Sequence, residues 1–504
     1  MIVCRIACVC FIAFLTAKAV SANAQGTNLP NILLICIDDL RPELGCYGGP
    51  ADISPNIDQF AKAAARFTNH FVAVPTCGAS RYALLTGQSP YRSGFTAGNE
   101  AFSQLQKQGQ IIPPTMPSIL KERGYHTIAI GKISHTPDGR LFAYDGSGDG
   151  RHEIPDAWDE LATPIGDWSQ NPWGNFFAYA NGHHREDGQG HADLMQFAVD
   201  TDDDLPDGQM ANAAVQKLHE LADSTQPFFM AVGFYKPHLP FVATRQDWQA
   251  VQDWEVNLSN GDKMSSVHFH RSGEFFRYEF PFPKARPLPN DSRRQGILAY
   301  WSCVRYVDRQ VGKVLASLQQ AGLDEQTSVI LWSDHGWFLG EGQLWGKHAP
   351  LELALRSPLL IRPAGQQEGR RIDQVVESID VLPTVLEMAN IAETGSHVAT
   401  DGRSVLPLIS GETTNSDAGL AISYWKNAIS IRTGQYRLVT TVDSVKQDGG
   451  SLSTARNFEL YDVKATDGVS KNIADQHPAI VKQLRNKIID RHRHLGSPRT
   501  QESR

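Results

Sequence analysis

The stretch NILLICIDDL, residues 31–40, decides the fold of this chain. Ile32 to Ile37 are uniformly apolar, the pattern of a strand buried on both faces in a parallel sheet. Asp38 and Asp39 follow at once. Adjacent carboxylates at a strand end repel each other unless something cationic lies between them. The same grammar recurs in SVILWSDHGWFLGEGQLWGKH, residues 328–348, where Val329 to Trp332 lead into Asp334 and His335. Three aspartates and a histidine at the carboxyl ends of two apolar strands occupy the place where open α/β sheets bind ligands. Hard oxygen donors favour Ca²⁺ or Mg²⁺. His335 also suits Zn²⁺ or Mn²⁺, so residue types alone leave the ion open.

Further islands follow apolar runs. Gly124 to Lys132 leads to Ser134-His135, and Phe228 to Val232 leads to Lys236-Pro237-His238-Leu239-Pro240-Phe241. Taken singly, Lys132 reads as a surface lysine and His135 as a loop histidine, and Pro237 and Pro240 as loop punctuation. The stretch FTNHFVAVPTCGASRYALLTGQSP, residues 67–90, places Cys77 and Arg81 in C-G-A-S-R before a helix-like run. Alone, Cys77 reads as a small buried residue.

As an ordered set these motifs resemble the type I, formylglycine-dependent sulfatase family, in its iduronate-2-sulfatase-like branch. The blocks G-K-x-x-H, K-P-H-x-P-F, S-D-H-G-W-x-L-G-E and W-x-K-H are all readable, as are SPNIDQFA (54–61) and YVDRQVGKVL (306–315). The resemblance runs from about Asn31 to Ile409. It implies an alkaline-phosphatase-like α/β fold with a mixed, mostly parallel sheet flanked by helices. It implies that Cys77 is oxidised to formylglycine by a maturation enzyme, aerobic or anaerobic. Asp38, Asp39, Asp334 and His335 would hold one divalent cation, Ca²⁺ in the family, with the modified Cys77 completing the set. Arg81 and His135 would support the formylglycine hydroxyls. Lys132, Lys347 and His238 would contact the sulfate, with His238 the proton donor to the leaving alcohol. The chemistry wants these types: cations offset charge on the sulfate oxygens, and a departing alkoxide needs a proton. One hydroxyl of the hydrate would attack sulfur to give a covalent sulfo-enzyme, and the other would expel sulfate.

Two positions depart from the family pattern. Ala79 stands where many relatives carry proline, which bears on the maturation route. Gly342 stands where the branch often has histidine, outside the inferred metal and sulfate set. The expected activity is hydrolysis of a sulfate ester on a sulfated carbohydrate. Alternatives are a phosphate mono- or diester hydrolase on the same fold, a choline-sulfatase-like enzyme, and a non-catalytic carbohydrate-binding relative. Cys77 disfavours the phosphatase, because such relatives place Thr or Ser there.

The chain has 504 residues and a formal net charge of −8, which argues against bulk attraction to nucleic acid or an acidic membrane. A polyanionic substrate would then need a local basic patch, for which Arg293-Arg294 and Lys284 to Arg286 are candidates. Arg5, the apolar run Ile6 to Leu15 and Ala22-Asn23-Ala24 read as a signal peptide over 1–24, implying export to the periplasm or medium. The run is too short to span a bilayer. Cys36, Cys46, Cys77 and Cys303 remain, and no disulfide framework is indicated.

Strand and helix patterns alternate through a catalytic domain over 25–412. Residues 136–205 and 243–292 interrupt the rhythm as long insertions, which in compact enzymes often bind ligands. A turn-rich run at 411–416 sets off a subdomain over 413–504. There Ala428 to Arg432 and Tyr436 to Val439 alternate like antiparallel strands, and 479–494 read as a closing helix.

Overall fold

The computed structural model describes residues 29–139, 142, 150–164, 174–259, 266–268, 273–279, 281–282, 287–391, 400–412, 419–445, 451–465 and 471–496. The signal peptide read over 1–24, the basic run Lys284 to Arg286 and the boundary at 413 lie outside these.

An eight-stranded sheet organises the chain. From edge to edge its strands are β12 (Arg370–Glu377), β2 (Ala65–Phe71), β11 (Leu359–Arg362), β8 (Thr327–Ser333), β1 (Asn31–Ile37), β6 (Phe228–Phe234), β3 (His126–Gly131) and β4 (Glu160–Leu161). Only β11 opposes the others, running antiparallel to β2 and β8. The expected mostly parallel mixed sheet is thus present. Strand β1 sits centrally, between β6 and β8, and all seven of its residues are buried. Its side chains divide with period two: Leu33, Ile35 and Ile37 enter one core, Ile32, Leu34 and Cys36 the other. This two-sided burial is why the strand reads as a continuous apolar run. Ile37 pairs with Phe234 on one side and Ser333 on the other, so the three strands release their chains at one level.

The first core lies under a helix spanning Asn290–Gln320, 31 residues long. The 306–315 motif is one portion of it, and Cys303, in a helical pattern in the sequence, is another. Its buried Asp308 explains two motifs at once. The carboxylate accepts from the Asn56 side chain (2.7 Å) and the Ile57 amide (2.8 Å), tying this helix to the start of the helix Pro55–Ala61. It thereby satisfies an orphan amide at that helix's first turn.

The insertions are less irregular than the sequence suggests. Residues 136–205 contribute β4 to the sheet edge, and β5 (Met195–Val199) pairs in parallel with β7 (Phe241–Thr244). A short ribbon of β9 (Phe338–Leu339) and β10 (Trp345–Gly346) follows β8.

At the C-terminus β13 (Ala421–Trp425), β14 (Ala428–Arg432), β15 (Tyr436–Thr441) and β16 (Arg456–Asp462) form an antiparallel sheet, closed by the helix Pro478–Gly496. This sheet braces the catalytic side. Ser423 Oγ donates to the Val72 carbonyl (2.7 Å) and the Tyr424 amide to that of Ala73 (2.8 Å), fixing the chain between β2 and Cys77. Buried Glu352 accepts from Arg432 Nε (3.0 Å) and Arg437 Nε (2.9 Å) across the same junction.

Candidate active site

Strands β1, β3, β6 and β8 end at a common rim, and their next residues carry the chemistry. Asp38, Asp39, Asp334 and His335 are all buried there. Cys77 opens the helix Cys77–Thr86, which follows the braced segment after β2. Two glycines permit the close approach. A Cβ on Gly78 would stand 2.1 Å from the Asn99 carbonyl, and one on Gly233 would stand 1.9 Å from the Lys132 carbonyl. The Ala79 amide donates to the Gly98 carbonyl at 3.1 Å, a bond that a proline at this position lacks.

The thiol sits among charges. Cys77 Sγ is 3.3 Å from His335 Nε2 and accepts from Lys347 Nζ at 3.1 Å, while Lys347 also donates to Asp39 Oδ1 at 2.7 Å. Burial, reinforced by Asp38, pushes the Cys77 thiol well above its ordinary value, so it is a neutral thiol. Ligand atoms of Asp38, Asp39, Cys77 and His335 all lie within 4.8 Å of one another. Asp334 stands beside this group rather than in it. Its Oδ1 accepts from the Asp39 amide (3.1 Å) and its Oδ2 from Arg81 Nε (2.9 Å).

The donor set fits a divalent cation. Asp38 Oδ1 and Asp39 Oδ2 are buried and accept no hydrogen bond. Burial pushes the Asp39 carboxyl up to about 7, with Lys347 opposing and Asp38 adding to the rise. Asp38 is held well below its ordinary value despite its burial, chiefly by Lys132, which donates to its Oδ2 at 2.5 Å. An ion between two such carboxylates removes both the repulsion and the unmet lone pairs.

The remaining predicted residues surround this centre. Arg81 is fully buried, bonded to Asp334 and to the Lys132 and Ile133 carbonyls. Lys132 Nζ lies 4.1 Å from the Phe176 ring centroid, and His135 packs on the same ring at 5.4 Å. Glu153 shapes the Lys132–His135 turn by accepting from Ser134 Oγ (2.5 Å) and the His135 amide (3.2 Å). In the next loop Lys236 is structural. Its Nζ donates to the His238 and Pro240 carbonyls at 3.0 and 2.6 Å. His238 Nδ1 lies 2.6 Å from the Leu239 carbonyl, so Nδ1 carries the proton there and Nε2 faces the site.

Two residues of the site went unread in the sequence. Glu274 Oε1 lies 3.4 Å from His238 Nε2 and its Oε2 lies 3.9 Å from Lys347 Nζ. Phe176 meets His238 edge-on at 4.9 Å. Both come from the insertions, whose aromatic and charged content was the only available signal. Arg293 and Arg294 form no open basic patch. They donate to the Ser259 carbonyl and to those of Gln252 and Trp254, pinning the 252–259 segment to the long helix.

Comparisons with known proteins give the chain's relatives. The sulfatase family model matches residues 30–391, and a model for the C-terminal region of N-sulphoglucosamine sulphohydrolase matches 340–494. The chain is 29% identical to iduronate 2-sulfatase of Mus musculus over 428 residues, covering 74% of this chain and 71% of that protein. Its fold resembles a phosphonate monoester hydrolase of Silicibacter pomeroyi, with TM-score 0.70 and 20% identity over 94% of this chain and 97% of that one. It also resembles a protein solved with its substrate D-glucosamine-2-N,6-O-disulfate, with TM-score 0.65 and 19% identity over 92% and 98%.

Proposed function

The chain belongs to the sulfatase family and is a sulfuric ester hydrolase, and from that premise we propose that it is an exported enzyme removing sulfate from a sulfated carbohydrate through a formylglycine made from Cys77. The observation that carries this reading is the position of Cys77 Sγ, in contact with Lys347 and His335 beside the Asp38–Asp39 pair. The likeness to iduronate 2-sulfatase supports a uronic-acid or related sugar. Among the described residues no helix is long and apolar enough to cross a membrane.

In this reading Asp38, Asp39, His335 and the modified Cys77 would hold one Ca²⁺, with Asp334 beside them completing the shell if it turns an oxygen inward. When present, the aldehyde hydrate supplies the nucleophilic hydroxyl, and the cation supplies positive charge to the sulfate oxygens. The chain's own groups do the rest. Lys132 and Lys347 offset charge on the sulfate. Arg81 holds Asp334 and the Lys132 turn in place. His135 packs against Phe176, the ring that Lys132 also meets, and would support the hydrate's hydroxyls. His238 donates a proton from Nε2 to the leaving oxygen. Burial lowers its affinity for that proton, Asp38 and Glu274 raise it, and Lys347 adds to the lowering. On balance His238 is held below its ordinary value, and Glu274, 3.4 Å from Nε2, opposes that fall.

The direct test is a paired substrate comparison. His238→Ala should cut turnover of a sugar sulfate by about 10²–10⁴-fold and that of an activated aryl sulfate far less, because only the alkoxide needs the proton. Equal losses on both would assign His238 to sulfate binding and move the acid to His135.

Metal dependence gives a second test. Asp38→Ala should lose one bound Ca²⁺ and sulfate release together, and chelation should lower the melting temperature of the parent, since the ion binds only the folded state. If the ion lost in Asp38→Ala proves to be Zn²⁺ and phosphate esters turn over faster than sulfate esters, the phosphoesterase reading replaces this one.

A further inference from the structure

A second group of metal donors lies on the loop beyond Phe176 and Phe177. His183, Asp187 and His191 each offer one ligand atom, all within 4.8 Å of one another. We propose that these three residues form a Zn²⁺ site that clamps one wall of the active-site mouth.

The geometry suits this ion. Asp187 Oδ2 is 2.7 Å from His191 Nδ1 and 3.7 Å from His183 Nδ1. These distances bracket the roughly 3.3 Å that separates two ligands about 2.0 Å from a tetrahedral ion. The two imidazoles stack with centroids 4.2 Å apart. Both rings turn Nδ1 toward one carboxylate oxygen, Asp187 Oδ2. Two imidazoles and one carboxylate select Zn²⁺ over Ca²⁺, which prefers an all-oxygen shell. Three protein ligands leave a fourth position for water. The side chains are 41%, 9% and 28% exposed, so an ion has an entry path.

The supports of the ligands are already in place. Asp187 Oδ1 accepts from the Gln189 amide at 2.8 Å, which orients the carboxylate. The Tyr179 amide donates to the His183 carbonyl at 2.7 Å, and Tyr179 OH to that of Asp193 at 2.6 Å, so one tyrosine holds both ends of the loop. Between the ligands Arg185 faces Phe177. Its guanidinium lies 3.6 Å from that ring's centroid and donates to Tyr278 OH at 3.0 Å. The Phe177 ring is in turn 5.9 Å from that of His238. An ion at the triad therefore fixes the segment that presents Arg185 and Phe177 to the catalytic histidine.

Titration calorimetry with Zn²⁺, in excess Ca²⁺ to fill the buried centre, tests the site. The parent should bind one more Zn²⁺ than the His183→Ala/His191→Ala double variant, with Kd about 10 µM or tighter. Asp187→Asn keeps an oxygen for the loop amides but loses the charge, and should weaken binding at least tenfold. Co²⁺ as a spectroscopic probe should give visible absorption in the parent that the double variant lacks. Equal Zn²⁺ stoichiometry and affinity in parent and double variant, or binding in the millimolar range only, would overturn the proposal. Neither readout depends on sulfate release, so the result is independent of the reaction assigned above.

Discussion

Cys77→Ala should lose sulfate release by about five to six orders of magnitude in kcat, the scale seen when a nucleophile acting as part of a unit is removed. The residue is 1% exposed at the first turn of its helix, and alanine removes only the sulfur atom. Alanine favours the helix, and the cavity left is a single atom in size. The melting temperature should therefore stay close to the parent's. Lys347 keeps its bond to Asp39, and the cation's ligands other than Cys77 stay in place. Measured together, turnover and melting separate lost chemistry from lost folding. A Cys77→Ala protein with near-parental turnover would remove Cys77 from the mechanism.

Arg81→Leu should damage both. The guanidinium is 0% exposed and donates to Asp334 (2.9 Å) and to two backbone carbonyls, with Asp38 Oδ1 3.9 Å away. Leucine fills much of the volume but leaves buried carboxylates with less positive charge and two carbonyls without their donor. Removing one partner of a buried pair costs about 3–5 kcal/mol. Denaturant unfolding of metal-stripped protein is the measurement, since added Ca²⁺ offsets part of the loss. Arg81→Lys should rescue little, because a single ammonium cannot reproduce a fork that meets several acceptors at once. A loss below about 1 kcal/mol for Arg81→Leu would mean the Asp334 carboxylate is satisfied without Arg81.

The strand ends were legible because two-sided burial writes itself as an unbroken apolar run, and Asp38, Asp39, Asp334 and His335 sit immediately after such runs. Cys77, Arg81, Lys132, His135, His238 and Lys347 were legible as ordered motifs, and the structure brings all of them to one rim. What stayed hidden enters from loops. Glu274 and Phe176 reach the site from the insertions, where no periodicity sets the backbone. The antiparallel course of β11 was hidden too, because Leu359 to Arg362 are too short to show direction. The Arg293-Arg294 pair misled for another reason: composition reports charge, while only three-dimensional structure shows that carbonyls of the 252–259 segment already engage both guanidiniums.

The most direct test of the central claim is the mass of the peptide containing Cys77, taken from protein that is releasing sulfate. The account predicts a residue that has lost one sulfur and two hydrogens and gained one oxygen, trapped by an aldehyde-reactive probe. Fully active protein whose Cys77 remains an unmodified thiol would contradict it.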